Sequence, residues 1–201
     1  MKFFIATKNQ KKLNELKRIL TPLGITAICE SDLNISIPEP EETGVTFEEN
    51  AYIKAECGMN ATGLPTIADD SGLCVDALGG APGVYSARYA GEPTDNLKNN
   101  LKLLREMENV PEEERTARFI SSVACVFPNG KGFSVDGKCE GKIAFQMTGN
   151  NGFGYDVLFV SELGCFGEIS DELKDSISHR GRALEALSVK LKEFLKEENI
   201  C

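Results

Sequence analysis

The chain has 201 residues, with 41% hydrophobic and 26% charged residues, enough for one large domain or two small lobes with a buried core and not the composition of a disordered chain. Lys and Arg total 22 against 31 Asp and Glu, a formal charge of −9 that argues against general nucleic-acid or anionic-membrane binding but leaves room for a local basic pocket holding a phosphate compound. The seven cysteines are odd in number, scattered and without a C-x-x-C, which favours reduced thiols, and the single histidine, His179, excludes a multi-histidine metal site within one chain. No apolar run approaches membrane-spanning length, and Met1-Lys2 leads into a short apolar stretch that stops at Lys8, so neither a secretory leader nor a membrane span is expected and the location predicted is cytoplasmic.

Along the chain, Lys2 to Ala6 reads as a short buried strand broken by Thr7-Lys8-Asn9. Leu13, Leu16, Ile19 and Leu20 then recur at helical spacing until Pro22 and Gly24. Ile25 to Ile28 suits a second strand, and Ile35 to Glu42 a proline-broken acidic loop. Thr46 and Glu49 form a capping box for a helix running to Gly63. Thr66 to Ala68 reads as a strand entering Asp69-Asp70-Ser71-Gly72, with a second apolar stretch from Leu73 to Leu78 and a glycine turn from Gly79 to Gly83. Thr94 is the expected cap of a helix reaching about Glu108. Ala117 to Phe127 and Gly132 to Cys139 read as strands of a hairpin around Pro128-Asn129-Gly130. Gly149 to Gly154 is a second glycine loop, Tyr155 to Val160 a strand, and Ser178 the cap of a closing helix with Leu184, Leu187, Leu191, Phe194 and Leu195 on one side. Alternating strands and helices with one hairpin predict an α/β fold with a mixed sheet, in a single domain over residues 1–201.

Four stretches have chemistry to offer, each with a plainer alternative. Asp69 and Asp70 at a strand end can bind Mg²⁺, with Glu41 and Glu42 as further carboxylates; Asp-Asp-Ser-Gly is equally the signature of a type I turn. Thr7, Lys8, Asn9, Gln10, Lys11 and Lys12 lie where a strand hands over to a helix, a place that attracts phosphate, or form an exposed basic first turn; Lys54 has the same two readings. The glycines around Phe153 would let a planar base lie against its ring, or the ring plugs the core. His179 and Arg180 can donate to carbonyl or phosphate oxygens, although a lone histidine is usually a satisfied one.

The stretches come in a recognisable order: T-K-N-Q-K-K, E-E-T-G-x-T-F-x-E-N-A, A-D-D-S-G-L, G-G-A-P-G-V-Y-S-A-R-Y, G-F-G-Y-D and S-H-R-G-x-A-L. Together, from Thr7 to Leu184, they resemble the inosine triphosphate pyrophosphatase family, the XTP/dITP diphosphatases. The resemblance implies an elongated mixed-sheet α/β fold with two lobes around a central nucleotide cleft, a homodimer, and Mg²⁺-dependent release of pyrophosphate from purine nucleoside triphosphates (ITP, dITP and XTP). It further implies Asp70 as general base and metal ligand, Glu41 as the other metal-binding carboxylate and Asp69 assisting. Thr7 to Lys12 match the triphosphate-binding segment and Lys54 a further phosphate contact, Ser71 matches a substrate contact, and Phe153, Gly154, Tyr155, Asp156, Lys174, His179 and Arg180 match base contacts. Where the family commonly has G-T-G-G-F-G-Y-D-P, this chain has Asn150, Asn151 and Val157; Asn151 is able to adopt the left-handed conformation if a glycine's backbone is needed there.

Overall fold

The computed structural model describes residues 1–198. A mixed seven-stranded sheet is flanked by helices. The strands are β1 (Lys2–Ile5), β2 (Thr26–Ile28), β3 (Thr66–Val75), β4 (Thr116–Val126), β5 (Gly132–Ile143), β6 (Phe159–Ser161) and β7 (Gly164–Cys165), in the order β2-β1-β3-β4-β5-β6-β7. β1 is parallel to β2, with Phe3 opposite Ala27, and to β3, with Ile5 opposite Ile67. β5 with β6 and β6 with β7 are antiparallel. The helices are α1 (Gln10–Leu20), α2 (Glu30–Leu33), α3 (Phe47–Thr62), α4 (Asn96–Glu106), α5 (Asp171–Ile177) and α6 (His179–Glu197). None of the described helices is long and apolar enough to cross a membrane.

The chain divides into two compact units, and β3, β4 and β5 each contribute residues to both. The first comprises Met1–Asp70, Ser121–Gly137 and the segment from Arg180 onward. Strand alternation sorts its core into two faces. Phe3, Ile5, Ile67, Val123 and Cys125 meet Leu13, Leu16 and Leu20 of α1 and the predicted stripe Leu184, Leu187, Leu191 and Phe194 of α6. The intervening residues Ala68, Ala124 and Val126 meet Ala51 and Ala55 of α3. α3 approaches closely because Gly58 has no side chain: a Cβ there would lie 3.0 Å from the Phe4 ring.

The second unit comprises Ser71–Ile120 and Lys138–His179. Its core joins Leu73, Val75, Ala117, Phe119, Cys139 and Ile143 of the strands to Leu103 and Met107 of α4 and to Leu158, Phe159 and Phe166. Arg115 is sealed beside it, its guanidinium donating to the carbonyls of Met107, Val110, Ile143 and Ala144, which satisfies a buried charge with backbone dipoles.

Several local expectations are corrected. Asp69-Asp70-Ser71-Gly72 is not a turn, since β3 runs unbroken from Thr66 to Val75. The first four residues of Tyr155 to Val160 form a turn, with Phe159 N–H reaching Tyr155 O at 3.1 Å, and the strand begins only at Phe159. Asp95 rather than Thr94 caps α4, accepting from Lys98 N–H. Ser178 stands where a cap was expected, extended and buried directly before α6; what was not anticipated is α5 in front of it. Asn151 does not use the left-handed conformation open to it; its side chain donates to the carbonyls of Glu168 and Ile169, and the positive φ falls on Gly149, Gly152 and Gly154. The six cysteines among the described residues are free thiols, as expected, and Cys201 lies outside that range.

Gly149 has φ +77°, and a Cβ there would lie 1.8 Å from Gly167 O. Gly149→Ala is therefore expected to destabilise the protein by about 2–5 kcal/mol, combining left-handed strain with overpacking. A urea-unfolding midpoint equal to that of the parent protein would refute the close approach.

Candidate functional site

Acidic and basic side chains come together around Asp69 and Asp70, in the first unit. Because β3 stays extended through them, the two carboxylates face opposite sides of the sheet, as Ile67 and Ala68 do. Asp69 joins the α1 and α6 side. Its Oδ2 accepts from Lys12 Nζ at 3.3 Å and from Arg180 Nη2 at 3.1 Å, and Arg180 also pairs with Glu15. Lys12 and Glu15 are three residues apart on α1, which puts them on one helix face. Asp69 Oδ1 is buried with no hydrogen-bond partner.

Asp70 joins the α3 side. Lys54 Nζ lies 2.6 Å from Asp70 Oδ1 and 3.1 Å from Glu42 Oε1, so two carboxylates from distant segments converge on one cation. Glu41 is exposed; it is Glu42 that reaches Lys54. Among the described residues no three His, Cys, Asp or Glu side chains gather as a metal-binding group. The physical reason is the pleat, which sends Asp69 away from Asp70 and toward Arg180.

The electrostatics of the two carboxylates are opposed. Burial alone would raise both. At Asp69 the charges of Lys12, Arg180 and Lys54 overturn it and hold the carboxyl well below the usual range. At Asp70 burial wins over Lys54 and Lys12, and its proton affinity is raised. Lys12 is pushed down by its burial despite Asp69, whereas Lys54 is pushed up, because Asp70, Asp69 and Glu42 outweigh its burial. A carboxylate with raised proton affinity next to a lysine that stays charged is an arrangement able to take up a proton beside a positive charge.

The Thr7–Lys12 segment leads from β1 into α1. Lys8, Asn9, Gln10 and Lys11 are exposed. Asn9 caps the helix, its Oδ1 accepting the N–H groups of Lys11 and Lys12 at 3.0 and 3.2 Å, so two of the amides expected for phosphate already have a partner.

The second unit holds the Phe153 loop. Asp156 Oδ2 accepts the Phe153 N–H at 2.7 Å and Lys174 Nζ at 2.8 Å, and the Lys174 ammonium stands 5.1 Å from the centre of the Phe153 ring. A Cβ on Gly152 would lie 2.0 Å from Asp156 Oδ2, so this turn needs a glycine. Gly154 O accepts from Asn100 of α4, and Tyr155 is a buried strut whose hydroxyl donates to Ser86 O at 2.8 Å. The His179 ring stacks on Phe119, centroids 4.7 Å apart. Ser71 is half-buried in β3.

The predicted residues thus fall into two groups: Lys12, Lys54, Asp69, Asp70 and Arg180 in the first unit, and Phe153 to Asp156 with Lys174 in the second. Arg180, matched to the base, is engaged with Asp69 and Glu15. Sequence reasoning missed Glu15, although its spacing from Lys12 was a signal.

A family model described as the Ham1 family matches residues 3–190. A dITP/XTP pyrophosphatase of Geobacter sulfurreducens is 51% identical over 185 residues, 91% of this chain and 92% of that protein. One from Haemophilus influenzae is 47% identical over 194 residues, 94% of this chain and 98% of its own. The solved structure of a HAM1 protein from Coxiella burnetii superposes with a TM-score of 0.85 at 40% identity, covering 96% of this chain and 99% of that one.

Proposed function

The chain belongs to the Ham1 family and is a hydrolase, and on that premise we propose that it splits XTP, dITP and ITP into the nucleoside monophosphate and pyrophosphate, with Mg²⁺ as its metal. Such an activity clears deaminated purines from the nucleotide pool. We further propose that it works in the cytoplasm as a homodimer, on the family resemblance, with both units serving one activity because the family match spans them. A monomer mass by light scattering would remove the dimer.

The observation that carries the reading is the convergence of Asp70 and Glu42 on the Lys54 ammonium. Two carboxylates already gathered around one cation form the hard oxygen set that suits Mg²⁺, with Asp70 and the Glu41-Glu42 loop as its holders. When bound, the ion offsets triphosphate charge and polarises water. Asp70 accepts the proton of the attacking water as its oxygen bonds to the α-phosphorus. The α–β anhydride bond breaks, and its electron pair leaves with pyrophosphate. Lys54 and Lys12 stabilise the negative charge of the departing group. Asp69, tied to Lys12 and Arg180, sets the direction of Lys12.

Base selection is assigned to the Phe153 loop. The ring offers a stacking face, and Lys174, held by Asp156, offers a donor for the 6-oxo group that hypoxanthine and xanthine share. Adenine presents a 6-amino group there and opposes donor to donor, a costly arrangement away from water. A panel of XTP, dITP, ITP, GTP and ATP with Mg²⁺ is expected to give pyrophosphate, with ATP disfavoured by at least about 10²-fold in kcat/KM. Equal rates on ATP and ITP, or orthophosphate as the product, would overturn the assignment.

A further inference from the structure

Asn50 and Lys54 stand four residues apart on α3, side by side on one face of the helix, and both turn toward Asp70. Lys54 takes Asp70 Oδ1, while Asn50 Nδ2 lies 3.5 Å from Asp70 Oδ2. The same two side chains grip the acidic loop. Lys54 holds the Glu42 carboxylate, and Asn50 Oδ1 accepts the Gly44 N–H at 2.8 Å. Asn50 is fully buried.

The Gly44 N–H decides which way the amide faces. An N–H needs an acceptor, so the carbonyl oxygen of Asn50 turns to the loop and its NH₂ is left for Asp70. Gly44 makes this approach possible: a Cβ there would lie 2.6 Å from Asn50 Oδ1 and 2.9 Å from Asn50 N. The capping box of Thr46 and Glu49 fixes where α3 begins, and with it the height of Asn50. The contacts close into a ring from Asp70 through Lys54, Glu42, Gly44 and Asn50 back to Asp70.

We propose that Asn50 is a positioning residue for the reaction: it fixes the Glu41–Gly44 loop relative to the Asp70 carboxylate, so that the carboxylates of both are presented together to the metal. The role rests on the pyrophosphatase reading above. Without Asn50 the loop loses its hold through the Gly44 N–H, and Asp70 Oδ2 loses its neighbouring donor.

The test compares wild type with N50A and N50D, measuring kcat, KM for XTP, the half-saturating Mg²⁺ concentration and hydrogen exchange at the Gly44 amide. N50A removes both contacts. N50D is isosteric and keeps an acceptor for Gly44 while losing the donor to Asp70, and it keeps the test open where N50A fails to fold. N50A is expected to lose kcat by about 10²-fold, the scale of a 1 Å misplacement. Its half-saturating Mg²⁺ rises and its Gly44 protection falls, while KM moves little. N50D keeps the Gly44 protection and still loses kcat. Wild-type kcat and Mg²⁺ half-saturation in N50A overturn the role, as does a loss of activity that follows melting temperature alone with Mg²⁺ half-saturation unaltered. A wild-type chain that releases no pyrophosphate overturns the functional reading and the role together, whereas an active wild type with an unaltered N50A overturns the role alone.

Discussion

Asp70→Asn is expected to lower pyrophosphate release by about 10²–10⁴-fold, the range a positioned general base supplies, while the protein remains folded. Asn has nearly the shape of Asp and offers Lys54 an oxygen at the same place, but it cannot take a proton from water. The fold tolerates the change because burial already opposes the charge at Asp70, whose proton affinity is raised. Removing that charge removes a cost, and Lys54 keeps Glu42 as a partner. Release of pyrophosphate within tenfold of wild type, from a variant with unchanged circular dichroism, would deny Asp70 the role of base.

Arg180→Ala is expected to cost about 3–5 kcal/mol of stability at pH 7, because it strands buried charge. Glu15 and Asp69 are both buried, and Arg180 lies between them, itself only 1% exposed. The cost depends on pH in a definite direction. In the folded protein Lys12 and Arg180 hold the Asp69 carboxyl below its unfolded value against the effect of burial, so the folded state binds that proton more weakly. The stabilisation is present above the unfolded pKa of about 3.9 and fades as pH falls below it. The difference between wild type and Arg180→Ala should therefore be larger at pH 7 than at pH 3. Urea unfolding at the two pH values measures it; a difference under about 1 kcal/mol at pH 7 would mean that the pair is not holding the strand to α6.

Local signals were legible where the deciding atoms are near neighbours in the chain. The α3 start needs only Thr46 and Glu49, and both hydrogen bonds of the box form. The closing helix announces itself because one stripe of apolar residues at helical spacing suffices to bury it. The same locality misled at Asp69-Asp70-Ser71-Gly72. Turn chemistry is a local preference, but strand pairing along β3 with its neighbours outweighs it. At Tyr155 the error ran the other way. An apolar run looked like strand, while Asp156 accepting the Phe153 N–H folds the segment into a turn.

The sequence by itself determined the family and the alternation of elements, because motif order and periodicity survive without any coordinates. Only the tertiary structure decided which carboxylate meets which cation. Covering one sheet face with α1 and α6 and the other with α3 gives the pleat of β3 two different environments. Adjacent aspartates are thereby parted, Asp69 to a sealed arginine and Asp70 to a lysine shared with a distant glutamate.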